Sequence, residues 1–292
     1  MALSQALQQF KAALSPSERA VLNQCLQEAK QVLPSHWMPW FLGPSKQPTG
    51  FFKPEIATIV QSLDAHWRQV PEGLQWDTPE ANSASRSLAL AHLADQLRSM
   101  GVITGWRDEK FSYWPEQVFE NGHPPFEPGP DVPEEFQMER AAFRFFGLHS
   151  HAVHINGFTP EGHLWCGRRA MSKATDPGML DNLAAGGLPA GETCALCVVR
   201  ELAEEAGIET ELAQTAMPMG RLTTCRAVPE GWHHETLWVY NLEIPAGLTP
   251  QNQDGEVSEF VCLAPPAVVQ AIAQKAFTPY AACVIALALS VT

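Results

Sequence analysis

Apolar residues recur at helical spacing in three places within the first hundred residues. Ser15-Pro16-Ser17-Glu18 opens the first. Ser15 can cap free amides, Pro16 suits a first helical turn and Glu18 can complete a capping box, so a helix is predicted from here to about Lys30. A second starts near Pro54 and carries Ile56, Ile59, Val60 and Leu63 on one face. A third covers about Ser85 to Met100, with Leu88, Leu90, Leu93 and Leu97, and Gly101 as its stop. After Phe146 the pattern turns strand-like. Ala152 to Gly157 and Leu164 to Gly167 read as short strands around a turn at Pro160-Glu161-Gly162. Further strands are expected at Arg221 to Ala227, Thr236 to Leu242 and Glu256 to Leu263. Between these groups a Gly-rich segment leads into a helix from about Thr193 to Ala206, stopped by Gly207. Pro265 or Pro266 opens a last-but-one helix. The apolar stretch from Ala281 to Val291 is too short to span a bilayer and is expected to bury a helix or strand in the core.

These elements predict three parts: a smaller helix-rich α+β module over 1–114, a connection over 115–139, and a mixed α/β or α+β catalytic unit over 140–292. Pro115, Pro124, Pro125, Pro128, Pro130 and Pro133 exclude regular structure from the connection. It reads either as a linker between domains or as a long arm packed over one of them.

Composition narrows the function classes. The 292 residues are 45% hydrophobic and 17% charged, ample for one large core or two modest ones. A formal net charge of -13 with no cluster of Lys or Arg argues against nucleic-acid binding. Seven Cys, an odd number, fit a reducing compartment better than a disulfide framework. The lone CxxC pair Cys194 and Cys197 lies one turn apart in the predicted helix and has no second pair or nearby His to complete a metal site. No basic-then-apolar leader is apparent at the start, so a cytoplasmic protein is expected, without membrane partners. Monomer and homodimer both remain open.

The chemistry is concentrated in Gly186-Gly187-Leu188-Pro189-Ala190-Gly191-Glu192, the residues Thr193 to Val199, and Arg200-Glu201-Leu202-Ala203-Glu204-Glu205-Ala206-Gly207-Ile208. Glu201 and Glu205 are four apart and share a helix face, with Glu204 bordering it. Such like charges repel unless solvent or a cation relieves them. Mg²⁺ or Mn²⁺ prefers oxygen ligands and commonly brings substrate phosphates into its shell. Leu196, Val199 and Leu202 are expected to pack against a sheet. Arg200 can orient a carboxylate by a bidentate bond, and the glycines let the loop approach a ligand closely.

The run of Gly, five residues, Glu, seven residues and Arg-Glu-Leu-x-Glu-Glu-x-Gly-Ile over Gly186 to Ile208 resembles the signature of the Nudix hydrolases, with no position missing. The resemblance implies an α/β/α sandwich with a mixed sheet and hydrolysis of nucleoside diphosphate derivatives or related organic diphosphates. It implies Glu201, Glu204 and Glu205 as metal ligands, Glu192 as a support near the loop, Arg200 as a residue that orders the acids, and Gly186, Gly187 and Gly191 as the loop. A narrower resemblance is to the Nudix proteins related to the N-terminal part of fungal thiamin pyrophosphokinase, which carry a helical domain ahead of the Nudix domain. It rests on Gly105-Trp106-Arg107-Asp108-Glu109, Glu139-Arg140, Phe146-Gly147-Leu148, Val153-His154-Ile155-Asn156-Gly157, Trp165, Arg168-Arg169, Pro177-Gly178-Met179-Leu180-Asp181, Asp254-Gly255-Glu256-Val257 and Phe260. That group implies removal of one phosphate from damaged thiamin diphosphate, leaving the monophosphate.

Ligand-contact candidates follow. Trp106 and Trp165 can stack on a flat, cationic ring, and each can equally be packing. Arg107, Arg168 and Arg169 can reach a diphosphate, and His154 and Asn156 alternate along one strand face. Glu256 can complete the metal site or bond a ligand. His233-His234-Glu235 lacks the spacing of a zinc motif and is expected in a mobile loop near the site. Two other functions stay open: hydrolysis of a sugar nucleotide or dinucleotide, and a regulatory module that binds a diphosphate without turnover.

Overall fold

The computed structural model describes residues 2–78, 82–119, 127–173 and 175–290. The chain opens with α1 (Ala2–Ala13), α2 (Pro16–Gln27), β1 (Met38–Leu42), β2 (Gly50–Phe52), α3 (Pro54–Leu63), β3 (Trp67–Val70), β4 (Gly73–Trp76) and α4 (Ser83–Ser99). It continues with β5 (Lys110–Tyr113), β6 (Phe136–Glu139), α5 (Arg140–Phe146), β7 (His149–Phe158), β8 (Leu164–Arg169), β9 (Leu180–Asp181), β10 (Ala184–Gly187) and α6 (Cys194–Ala206). The last elements are α7 (Thr210–Ala213), β11 (Met217–Ala227), β12 (Trp232–Glu243), β13 (Val257–Leu263), α8 (Pro265–Ala273) and α9 (Pro279–Ser290).

The central sheet has the order β11-β12-β7-β8-β13. Its β12–β7 pair is parallel, whereas β11–β12, β7–β8 and β8–β13 are antiparallel, so the sheet is mixed. β7 and β8 pair only at Gly157–Trp165 and Phe158–Leu164. Beyond that point the two strands part. β10 takes the place beside β7 along Ala184–Gly187, and β9 takes the place beside β8. Strand alternation sends Val153, Ile155, Trp238 and Tyr240 to one face, where Cys197, Val198 and Leu202 of α6 meet them. Ala152, Leu237 and Val239 point to the other face and meet Val284 of α9. Helices on both faces of a mixed sheet make the α/β/α sandwich.

The N-terminal segment differs from the expected helical module. Ser15 does cap α2, with Glu18 N donating to its Oγ at 3.3 Å and Ser15 N donating to Glu18 Oε2 at 2.7 Å. Yet α1 and α2 share a core with the C-terminal helices: Leu7, Phe10, Leu14 and Leu22 pack with Phe158, Leu164, Val268 and Ile285. A second core forms around the four-stranded sheet β2-β1-β4-β3, where Trp40, Phe52, Trp67 and Trp76 meet α3, α4 and α5. The strands of this α+β module were not located from the sequence, because they are three to five residues long and carry no sustained alternation.

The Pro-rich connection is an arm packed over the sandwich. Its last residues are not irregular: they form β6, which pairs antiparallel with β5 just before the arm. Trp114 Nε1 donates to Val132 O at 3.0 Å, Phe119 lies edge-on to His151 with ring centroids 5.1 Å apart, and Tyr240 Oη donates to Glu127 Oε1 at 3.1 Å. Pro124 and Pro125 lie outside the described residues. Among the described residues no helix is long and apolar enough to cross a membrane.

Candidate active site

α6 begins where Thr193 Oγ1 accepts from Leu196 N at 3.2 Å and ends at Gly207 in the left-handed conformation, φ 63°. Both ends follow from the sequence, a threonine cap and a glycine stop. Its inward side differs from expectation at one residue. Cys194, Cys197, Val198 and Leu202 are buried, but Leu196 is exposed, because it points away from the sheet at the first turn. Burial raises both thiols, so neither cysteine is a thiolate at neutral pH.

Two carboxylates dock α6 onto β10. Glu205 Oε2 accepts from Ala185 N at 2.9 Å, and the Glu201 carboxylate lies so close over Gly186 that any Cβ there would overlap it. Gly191 turns the preceding loop with φ 84°. Gly187 lies against the Phe111 ring with equally little room for a side chain. Arg200 gathers the acids. Its Nε and Nη2 donate to the two oxygens of Glu192 at 3.1 and 2.9 Å, and its Nη1 donates to Glu201 at 2.6 Å and Glu204 at 3.2 Å. Two of these bonds fork onto the single carboxylate of Glu192.

Burial raises the Glu201 carboxyl against the opposing pull of Arg200, and the Glu204 charge adds to the rise. Glu205 is raised much further, by burial and then by the charge of Glu201, with only the Ala185 N–H and distant Lys173 opposing. A pair of buried acids biased towards protonation is a place where a dication would be neutralised and held. Among the described residues, Glu205, Asp254 and Glu256 form a set of three acids whose oxygens lie within 4.8 Å of one another. An all-carboxylate set fits a hard divalent ion. Of the three ligands expected from the signature, this set contains Glu205 alone. Glu201 stands one turn away on Arg200, and Glu204 is exposed.

Where β8 peels away from β7, a cavity of about 490 Å³ opens beside these acids. Its wall includes Arg107, Arg140, Arg169, Lys173, Gly186, Gly187, His154 and Glu256. Arg169 is held by Asp181 at 2.8 Å and by Thr175 O at 3.0 Å, and Lys173 is paired with Glu256. Arg107 is exposed, and its backbone N–H is fixed by the buried Glu139 at 2.9 Å. Behind the wall runs a buried polar row. His154 Nδ1 meets Asn182 Oδ1 at 2.8 Å, Asn182 Nδ2 donates to Asn156 Oδ1 at 2.7 Å, and Asn156 Nδ2 donates to Asn241 Oδ1 at 3.0 Å. Asn156 itself is fully buried inside the sheet, not on the cavity wall.

Three other ligand candidates lie off the wall. Trp106 packs against the N-terminal core with the Arg98 guanidinium 4.5 Å from its ring centroid. Trp165 packs under α6, and Arg168 turns outward to Glu259 at 2.5 Å and Gly178 O at 3.1 Å. Strand alternation puts Arg168 and Arg169 on opposite faces, so only one of the pair reaches the cavity. His233-His234-Glu235 is not in a loop. These residues belong to β12 and are largely shielded from solvent, with His233 and Glu235 facing the cavity. Asp254, Lys173, Arg140 and Glu235 come to the site from distant segments, and no spacing in the sequence ties them to α6.

Residues 148–286 match the NUDIX domain family model. Two Arabidopsis thaliana proteins, Nudix hydrolase 20, chloroplastic, and Nudix hydrolase 24, chloroplastic, are each 37% identical to this chain. The matches cover 65% and 63% of this chain and 48% and 47% of those proteins. An uncharacterized Saccharomyces cerevisiae protein is 27% identical over 64% of this chain and 55% of its own length. The chain therefore spans about half the length of the curated relatives it matches. Among solved structures, DR0079 from Deinococcus radiodurans aligns with 61% of this chain and 98% of its own at 23% identity, with a TM-score of 0.45.

Proposed function

We propose that this chain, with its Nudix domain at residues 148–286, is a divalent-metal-dependent hydrolase of a small organic diphosphate. The observation that carries the reading is one arrangement: the acids Glu205, Asp254 and Glu256 adjoin a cavity whose wall also bears Arg107, Arg140, Arg169 and Lys173. Acids alone would repel a diphosphate, and basic groups alone would merely bind it. A dication on the acids, with basic side chains around it, suits the tetrahedral oxygens of a diphosphate.

Glu205, Asp254 and Glu256 are the residues that would hold Mg²⁺ or Mn²⁺. When bound, the ion would supply neutralisation of phosphate charge and activation of water. The chain's own residues do the rest. Arg200 keeps Glu192, Glu201 and Glu204 in fixed positions. Arg107 and Arg169 bind and orient the phosphates. Water attacks one phosphorus, the bond from that phosphorus to the bridging oxygen breaks, and a proton is released to a neighbouring carboxylate. The finer reading is damaged thiamin diphosphate, in its oxo and oxy forms, cleaved to the monophosphate and orthophosphate. It is supported by the sequence resemblance over Gly105 to Phe260.

The test is a product-resolved screen with Mg²⁺ and Mn²⁺ across oxo- and oxythiamin diphosphates, thiamin diphosphate, sugar nucleotides and dinucleotides. Glu205→Gln serves as the control. Orthophosphate released preferentially from the damaged thiamin compounds, and lost in the control, is the expected result. Turnover of nucleotides alone would discard the thiamin assignment. Tight ligand binding with no control-sensitive turnover would favour a binding module.

A further inference from the structure

The cavity has a second end that the acids of α6 do not reach. Ser150, His233, Glu235, Tyr280 and Arg226 line it. Along β7, Ser150 stands opposite Glu235, and Val153 stands opposite Gly186. Three residues of strand separate the two ends by about 10 Å, enough for a diphosphate at one end and an organic group at the other.

Hydrogen bonds at this end run in one direction. Arg226 Nη2 is anchored on Asp176 at 3.2 Å, and its Nε donates to Tyr280 Oη at 3.1 Å. The Tyr280 hydroxyl then donates to His233 Nδ1 at 2.6 Å. That leaves the proton of the neutral imidazole on Nε2, which faces Glu235 Oε2 at 3.3 Å. Ser150 Oγ donates to the other oxygen, Glu235 Oε1, at 2.9 Å. Burial raises the Glu235 carboxyl, and the hydrogen bond from His233 and the charge of Arg144 pull it down. Burial draws His233 down, so the imidazole stays neutral.

Glu235 is thus a buried, charged acceptor with two donors in place. An ionised carboxylate has room for about four, and the group lies on a cavity wall. A phosphate is repelled from this end by the Glu235 charge, which orients a substrate with its diphosphate towards Lys173 and Arg169.

We infer that Glu235 is a specificity residue that accepts hydrogen bonds from an amino or ring N–H group on the organic part of the diphosphate. Ser150, His233 and Tyr280 act as its positioning residues. The inference rests on the reading of the cavity as a diphosphate site and adds the chemical class of the rest of the ligand, a donor-bearing nitrogen heterocycle. An alkyl or plain aryl diphosphate offers nothing for Glu235 to bind and leaves its charge stranded on desolvation.

The experiment compares two probes by calorimetric titration of the full chain with Ca²⁺ present. Thiamin diphosphate bears an aminopyrimidine, and benzyl diphosphate bears a ring without a donor. The wild type is expected to bind thiamin diphosphate about 10- to 100-fold more tightly, the range expected of a hydrogen bond to a charged group. Glu235→Gln keeps the size of the side chain and should erase most of that gap while leaving benzyl diphosphate unchanged. Tyr280→Phe removes the relay hydroxyl and should narrow the gap by a smaller factor, about threefold. A gap that survives Glu235→Gln, or an equal loss for both probes in a variant that melts like the wild type, overturns the inference. So does the absence of a gap in the wild type. Failure of the hydrolase reading shows separately, as the predicted binding pattern with no cleavage of oxo- or oxythiamin diphosphate when Mg²⁺ replaces Ca²⁺.

Discussion

Gly186 has no room for a side chain because the Glu201 carboxylate occupies the space where a Cβ would stand. Gly186→Ala must displace the Glu201 carboxylate from this seat and disturb its bond to Arg200. A shift of about 1 Å in a reacting constellation can cost about 100-fold in rate, and that loss in kcat/KM is the expected outcome. Steady-state kinetics beside a thermal melt will check it; wild-type kinetics would show that the carboxylates do not need this seat. Arg200 makes a different prediction. Lysine keeps the charge but cannot fork onto both oxygens of Glu192 while reaching Glu201 and Glu204. Arg200→Lys is expected to weaken Mn²⁺ binding by about 10- to 100-fold, the usual cost of losing an outer-sphere support, as read by titration. These contacts were legible because they are local: Glu192, Arg200, Glu201 and Glu204 sit on one helix and the loop before it. Glu235 was not legible. His233-His234-Glu235 reads as a polar loop, and only the burial of β12 on both faces reveals that alternate residues enter the cavity.

At the level of elements, helices with explicit starts or stops stood out: α2 with its Ser15 cap, α3 with Pro54 in its first turn, and α6 with its Thr193 cap and Gly207 stop. Short strands did not. β1 to β4 have only three to five residues each, and their stability comes from tryptophans meeting across the sheet, such as Trp67 stacked on Trp76 at 5.7 Å. Nor does periodicity say which partner a helix will choose. α1 and α2 precede the N-terminal sheet, yet they pack with α8 and α9, where Phe10 lies fully buried and edge-on to Phe158 at 6.1 Å. Phe10→Ala is expected to cost about 3–5 kcal/mol, the usual penalty for emptying a buried phenylalanine site. The loss should appear in the unfolding of the sandwich itself, read by hydrogen exchange in β7 and α9. Loss confined to residues 38–113 would instead assign α1 and α2 to the N-terminal module.

Over the whole molecule, the Pro-rich arm closes over a face of the sheet that carries buried histidines. His149 and His234 stack with centroids 4.5 Å apart, and His151 lies 4.7 Å from His149. Trp114 and Phe119 of the arm cover His151 edge-on. Among the described residues His149 Nδ1 and His151 Nε2 have no hydrogen-bond partner, so protonation brings no new bond there to offset buried charge. Burial lowers His151 to about 3 and His234 to about 4, and holds His149 well down; the charges of Arg221 on His151 and of Lys30 on His234 act in the same sense, against the pull of Glu235. The sign follows directly. An unfolded histidine takes up its proton near pH 6.5, and these take it up only far below that, so unfolding binds protons between the two values. The stability from neutral burial is complete above about pH 6.5 and is lost as pH falls. Between pH 6.5 and 5.5 each histidine loses about 1 kcal/mol, or roughly 3 kcal/mol for the three. Tm should therefore fall by roughly 5 °C between pH 6.5 and 5.5. Glu235 does not add to this window, because a depressed carboxylate gives up its contribution only below about pH 4.5. The raised Glu201 and Glu205 act in the opposite sense in metal-free protein, where protonation relieves them. Melts with saturating Mg²⁺ should consequently show a steeper acid loss than melts in chelator. His151→Gln should reduce the slope by about one proton, and a Tm that stays flat to pH 5.5 in both conditions would mean that the histidine layer is open to water and the arm does not seal it.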